Sequence, residues 1–269
     1  MASLVKFYRM KDWRAYFSLC FLGFIVAQGY SAEILDIVIF IVVGLLLLAF
    51  GFSINNFFDI KEDKLKGEIK KLLIQNKKTF FLSVFPGVLA IFLSIYFGKG
   101  IFLFILVSAL VGFFYSAPPL RFKSRPFLDL ISHGFFAGAL IFIFPLLVFK
   151  QEPTIFHYSV AFSVFYLSVM LEARNHWEDY HSDFQAGLRT TACFLGYKNS
   201  ENLLTYLAFF YPLALFPAFF LLPDKFSFSF LFLTCLFLLL FFIKRKFPVM
   251  DTYYAVFSYI LIGVSTFYS

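Results

Sequence analysis

The sequence predicts an all-α polytopic membrane protein: nine transmembrane helices in two four-helix units plus a ninth helix. Three observations lead there. Hydrophobic residues make up 61% of the chain and charged residues only 14%, whereas a soluble domain carries about 25% charged residues. Apolar runs of about twenty residues recur along the whole length, as bilayer-crossing helices require. The basic residues fall on alternate loops, the signature of orientation in a membrane.

The nine expected spans are roughly 15–30, 34–58, 79–97, 100–117, 127–149, 154–178, 201–222, 226–243 and 249–268. The first is short and interrupted by Gly23 and Gly29, so a tilt or a longer run than drawn is expected there. Tyr30-Ser31-Ala32 is a poor cleavage site, and this run is not expected to be a signal peptide. An odd number of spans puts the termini on opposite sides. Lys99, Lys150 and Lys225 fall on one side, and the other 20 of the 23 basic residues fall on the opposite one. That side is the cytoplasm. The net charge of +7 is explained by this asymmetry, and no nucleic-acid partner is needed. Asp36 lies at the outer end of the second span and is given no role. Cys20, Cys193 and Cys235 are far apart, without metal-ligand spacing, and read as packed residues. The chain reads as one domain over 1–269. It carries a weak internal repeat, about 15–126 and 127–248, because an acidic cluster closes the second span of each unit.

Those clusters carry the chemistry. Asn55, Asp59 and Asp63 are spaced i, i+4, i+8, which places them on one helical face, each about one turn beyond the last. Carboxylates and an amide stacked in this way suit a hard divalent cation such as Mg2+. The same spacing recurs at Asn175, Asp179 and Asp183. Ionisable groups at the ends of membrane spans are costly and usually functional. Two such faces, brought together, would hold a metal-bound diphosphate between them.

Two further stretches lie on the cytoplasmic side. In Tyr115-Ser116-Ala117-Pro118-Pro119-Leu120-Arg121-Phe122-Lys123 the prolines end the fourth span and stiffen its exit. Arg121 and Lys123 then offer a phosphate-gripping guanidinium and a point charge. Arg125 reads as a flanking charge. In Gly187-Leu188-Arg189-Thr190-Thr191 a tight turn presents Arg189 and two hydroxyls to an anion. His157 is expected to be structural, and His133 faces an unknown neighbour. His176 and His181, inside the second motif, are candidates for proton transfer. Most of the 45 phenylalanines pack helices or face lipid. Some are expected to line a greasy tunnel, where aromatic faces stabilise a cation.

These motifs, in this order, resemble the UbiA superfamily of intramembrane prenyltransferases. The residues that carry the likeness are Asn55-xxx-Asp59-xxx-Asp63, Tyr115-Ser-Ala-Pro-Pro-Leu-Arg121-Phe-Lys123, and Asp179-xxx-Asp183 followed by Ala-Gly-Leu-Arg-Thr-Thr. The resemblance implies a transferase of alkyl groups other than methyl. Such an enzyme moves a prenyl group from a prenyl diphosphate to an electron-rich lipophilic acceptor such as a quinone precursor or a carotenoid. It implies Asp59, Asp63, Asp179 and Asp183 as the catalytic acids, which with Asn55 hold Mg2+. Asn55, Tyr115, Arg121, Lys123, Asn175 and Arg189 would bind substrate. The wording Ser-Ala-Pro-Pro-Leu-Arg-Phe-Lys is similar to carotenoid-elongating members. The expected setting is the cell inner membrane, with membrane lipid around the bundle and the active site on the cytoplasmic side. The competing reading is a polytopic transporter whose acids bind a coupling cation. Transporter sites lie near the midplane, whereas these acids close spans beside basic loops.

Overall fold

The computed structural model describes residues 7–60, 76–149 and 152–268. Among these residues every regular element is helical. Asp63 lies outside them. The N-terminal 3-10 turn Met10–Trp13 leads into α1, Arg14–Val26. The helices that follow are α2 Ile34–Phe58, α3 Lys77–Ser94, α4 Lys99–Ser116, α5 Leu128–Val148 and α6 Ile155–Glu178. Next come two short helices, α7 Tyr180–Gln185 and α8 Thr191–Leu195. The chain closes with α9 Tyr197–Phe220, α10 Asp224–Lys244 and α11 Val249–Ser265.

Seven of the nine expected spans are helices long and apolar enough to cross a membrane. The first and last are shorter: α1 has 13 residues, and α11 begins as a π-helix over Val249–Tyr254. At 1.5 Å per residue α1 reaches about 20 Å, less than a hydrocarbon core of about 30 Å.

Packing follows small residues and reciprocal polar contacts. Ser53 on α2 and Ser83 on α3 each donate to the other's carbonyl oxygen, at 3.1 and 3.2 Å. Inside α5 a π-helical stretch runs over Gly134–Ala139. A Cβ at Gly134 would lie 2.7 Å from Phe165, and one at Gly138 would lie 2.8 Å from the Ser168 side chain. The two glycines therefore let α5 lie directly on α6, the small-residue packing that membrane helices use. The largest buried cluster joins α1, α5, α6, α9, α10 and α11 around Phe142, Met170, Leu204, Tyr211 and Tyr254. A second, of Phe40, Val43, Ile105 and Phe144, joins α2 and α4 to α5.

The two ends of the bundle carry different residues. At one end Asn56 donates to the Phe7 carbonyl at 2.8 Å, and the Arg9 guanidinium lies 5.2 Å from the Phe52 ring centre. The N-terminal segment therefore sits beside the end of α2. At the other end Tyr96 donates to Asp36 at 2.9 Å. Lys225 lies 3.8 Å over the Tyr268 ring.

Candidate active site

In both acidic motifs a long helix stops between the Asn and the first Asp. α2 ends at Phe58, and the Asp59 amide closes the last turn on the Asn55 carbonyl at 3.0 Å. α6 ends at Glu178 in the same way, with the Asp179 amide on the Asn175 carbonyl at 2.9 Å. The helical face expected from spacing is therefore broken at Asp179. It survives the break because the Asp183 amide bonds back to the Asp179 carbonyl at 2.9 Å, which sets α7 running on. Asp179 is exposed and Asp183 is buried.

Asn55, Asp59, Asn175, Asp179 and Asp183 line one cavity of about 870 Å3. Its mouth also holds Arg9, Asp12 and Lys123. Its inner wall is apolar, with Phe24, Ile41, Phe40, Leu48, Phe104 and Phe144. Phe24 and Phe40 stack at 5.7 Å, and Phe40 meets Phe144 at 5.2 Å, which closes the far end in aromatic rings.

The loop between α4 and α5 brings the cations in. Arg121 has φ 39°, in the left-handed region that non-glycine residues rarely adopt. Arg121 lies 3.7 Å from Asp59. The Lys123 ammonium contacts Asp59 and lies 3.3 Å from Asn55 Oδ1. Burial outweighs the opposing pull of Glu172 and Asp183 and leaves the Lys123 ammonium lowered to about 7. The adjoining Asp59 carboxylate favours the charged form as well.

The donor set fits Mg2+. Asn55, Asp59, Asp179 and Asp183 offer hard oxygens, and a cationic group already sits between Asn55 and Asp59. Among the described residues no three His, Cys, Asp or Glu cluster closely enough to cage an ion. Mg2+ at such a site would be held through one or two carboxylates on each face, with substrate phosphate oxygens and water completing the shell.

Several expectations need correction or extension. Arg189 is exposed, and Leu188 and Thr190 on either side of it line the cavity instead. The anion that meets Thr191 belongs to the protein: the buried Asp129 carboxylate accepts from the Thr191 amide at 2.6 Å and from its hydroxyl, while the Thr190 hydroxyl caps α8 by accepting from the Cys193 amide at 3.3 Å. Tyr115 lines the cavity, and its hydroxyl donates to Glu172. Asn175 donates to Glu172 too, at 3.2 Å. Sequence reasoning passed over Glu172, although it stands on the same helical face as Asp179, two turns further in. His133 and His176 both face it, at 3.5 and 3.2 Å, and His133 also meets Tyr16 at 3.4 Å. Arg9 lines the mouth as well, and nothing in its sequence context marks it. His157 caps α6, accepting from the Thr154 amide at 3.0 Å.

Comparison with known proteins agrees with this layout. The UbiA prenyltransferase family matches residues 16–255. A lycopene elongase/hydratase from Haloarcula japonica is 33% identical over 86 residues, which are 32% of this chain and 28% of that relative. The match thus spans under a third of the relative's length. A UbiA homologue from Archaeoglobus fulgidus, solved bound to DMAPP and Mg2+, is similar with TM-score 0.75 at 22% identity, covering 98% of each chain. With GPP and Mg2+ bound, that homologue gives 0.71 at 21%, covering 99% of this chain and 100% of the other. A digeranylgeranylglyceryl phosphate synthase gives 0.76 at 15%, covering 100% and 99%. At these identities the likeness to the solved structures is one of fold.

Proposed function

Because the chain belongs to the UbiA prenyltransferase family, we propose that it moves a prenyl group from a prenyl diphosphate to an electron-rich lipophilic acceptor, with Mg2+. The site opens to the cytoplasmic side of the cell inner membrane. One observation carries this reading: both acidic faces line a single cavity whose inner wall is aromatic and aliphatic. Asn55, Asp59, Asp179 and Asp183, joined by Asp63 beyond the described residues, would hold the metal. When bound, Mg2+ neutralises the departing diphosphate.

The chain's own side chains do the rest. Lys123 and Arg121 reach the Asp59 side of the mouth, where they add charge-assisted hydrogen bonds to phosphate oxygens. The carbon–oxygen bond to C1 breaks, and its electron pair leaves on the diphosphate. The apolar wall keeps water from the allylic cation. The acceptor's double-bond electrons then form the new carbon–carbon bond, and a proton is lost.

A polyene acceptor is favoured over an aromatic acid. The far end of the cavity is built from Phe24, Phe40, Phe104 and Phe144, which offer a carboxylate nothing to bind. The partial likeness to a lycopene elongase/hydratase supports the same choice. The acids stand at helix ends beside cations, which disfavours a midplane transport site. The test is purified protein in detergent with Mg2+, DMAPP or GPP, and either lycopene or a membrane lipid extract, read by product mass. A prenylated, lipid-soluble product that depends on Mg2+ is expected. Its absence with every pair overturns the reading.

A further inference from the structure

Glu172 lies within α6 rather than at its end. It is 8% exposed and lines the cavity. Asp179 follows after seven residues, a rotation of about 700° and a rise of about 10 Å, so the two carboxylates share one face at different depths. A carboxylate inside a membrane bundle is costly unless it is held. Here Tyr115 and Asn175 donate to it, and His176 and His133 face it. His176 also lies 3.3 Å from Asp129. His133 meets the Ser168 carbonyl through Nδ1 at 3.3 Å. Four side chains from α4, α5 and α6 thus hold the Glu172 carboxylate at the cavity wall.

A diphosphate gains nothing from that charge, since a carboxylate repels it. The species that does gain is positive and lies deeper than the metal faces. In the reaction proposed above, breaking the C1–oxygen bond sends the electron pair out on the diphosphate and leaves a positive charge shared by C1 and C3. We propose that Glu172 is the counter-charge for this allylic cation, held toward the cavity by Tyr115, His133 and His176. The carboxylate draws the developing charge inward, away from the diphosphate and toward the apolar part of the cavity, where the acceptor lies. Tyr16, Tyr115 and Phe136 line the cavity beside it, and their ring faces act in the same sense.

The inference rests on the prenyl-transfer reading, and two uncleaved probes separate the two. Geranyl S-thiolodiphosphate with Mg2+ reports the diphosphate site. Geranylamine, an ammonium at neutral pH, with Mg2+ and inorganic pyrophosphate mimics the cation. In the full chain in detergent, Glu172→Gln should weaken geranylamine binding at least tenfold and thiolodiphosphate binding less than threefold. Glu172→Asp keeps the charge but withdraws it by one methylene, and should weaken geranylamine selectively by a smaller factor. This second variant decides the matter if the Gln variant does not fold. Geranylamine binding that both variants leave unchanged, or a loss shared equally by both probes, overturns the counter-charge role while the transfer reading stands. If neither probe binds the wild type in a Mg2+-dependent way, the transfer reading falls and the counter-charge with it.

Discussion

Lys123 ties the loop after α4 to the end of α2, because its ammonium touches Asp59 and Asn55 at once. Its side chain is only 11% exposed, so its charge acts in a poorly screened place. A hydrogen bond to a charged group contributes about 1.5–3 kcal/mol. Lys123→Met should therefore weaken Mg2+-dependent binding of geranyl S-thiolodiphosphate tenfold or more in a titration. Arg189 is the contrast. Sequence spacing put it beside the second motif, yet its side chain is exposed and outside the cavity. Arg189→Ala should change that affinity less than threefold in the same titration. Proximity in sequence misled here because the turn at Gly187, with φ 69°, carries Leu188 and Thr190 to the cavity wall and leaves Arg189 outside. Glu172 was missed for the opposite reason. Its partners His133 and Tyr115 come from other helices, and a single sequence does not show which helices touch.

At the scale of elements, the contacts of His133 with Ser168 and Glu172 depend on how closely α5 lies against α6. Gly138 has no side chain, and a Cβ there would stand 2.8 Å from Ser168 Cβ and 3.0 Å from the Val164 carbonyl oxygen. Gly138→Val forces the helices apart, and overpacking of this kind costs about 1–3 kcal/mol. His133, on the same helix, would move away from Ser168 and Glu172. Thermal unfolding in detergent should show the loss, and a stability equal to wild type would contradict the packing. A second element contact joins α6 to α11. Arg174 meets the buried Asp251 at 2.6 and 2.7 Å. Removing one partner of a buried pair costs about 3–5 kcal/mol because it strands the other charge. Arg174→Ala should therefore destabilise the fold by about 3 kcal/mol or more, read from the same unfolding curve. Neither contact was legible beforehand: Gly138 sits in an ordinary apolar run, and Arg174 read as one more positive-inside charge. The helix ends were legible, because Asn55-xxx-Asp59 and Asn175-xxx-Asp179 follow long apolar runs directly. The break at Asp179 was not, since periodicity continues across it through α7.

At the scale of the whole molecule, periodic apolar runs and alternating basic loops carried the all-helical membrane architecture. At the two outermost spans the described helices are shorter than the apolar stretches, which are shared between short helices, turns and a π-helix. The likeness of the motifs at the ends of α2 and α6 suggested that they meet, and both line one cavity with the Lys123 loop between them. What spacing does not contain is the cavity's depth and its aromatic floor of Phe24, Phe40 and Phe144, assembled from α1, α2 and α5. Phenylalanine is too frequent in this chain for any one ring to stand out. The central claim is that the two acidic faces act together on one diphosphate. The most direct test is Mg2+-dependent release of diphosphate from radiolabelled GPP by wild type, Asp59→Ala and Asp183→Ala, each shown to be folded, with the acceptor that supports turnover. Each single variant should lose about 100-fold or more in rate, on the scale of removing one transition-state charge partner. Turnover close to wild type in either folded variant would contradict a shared site.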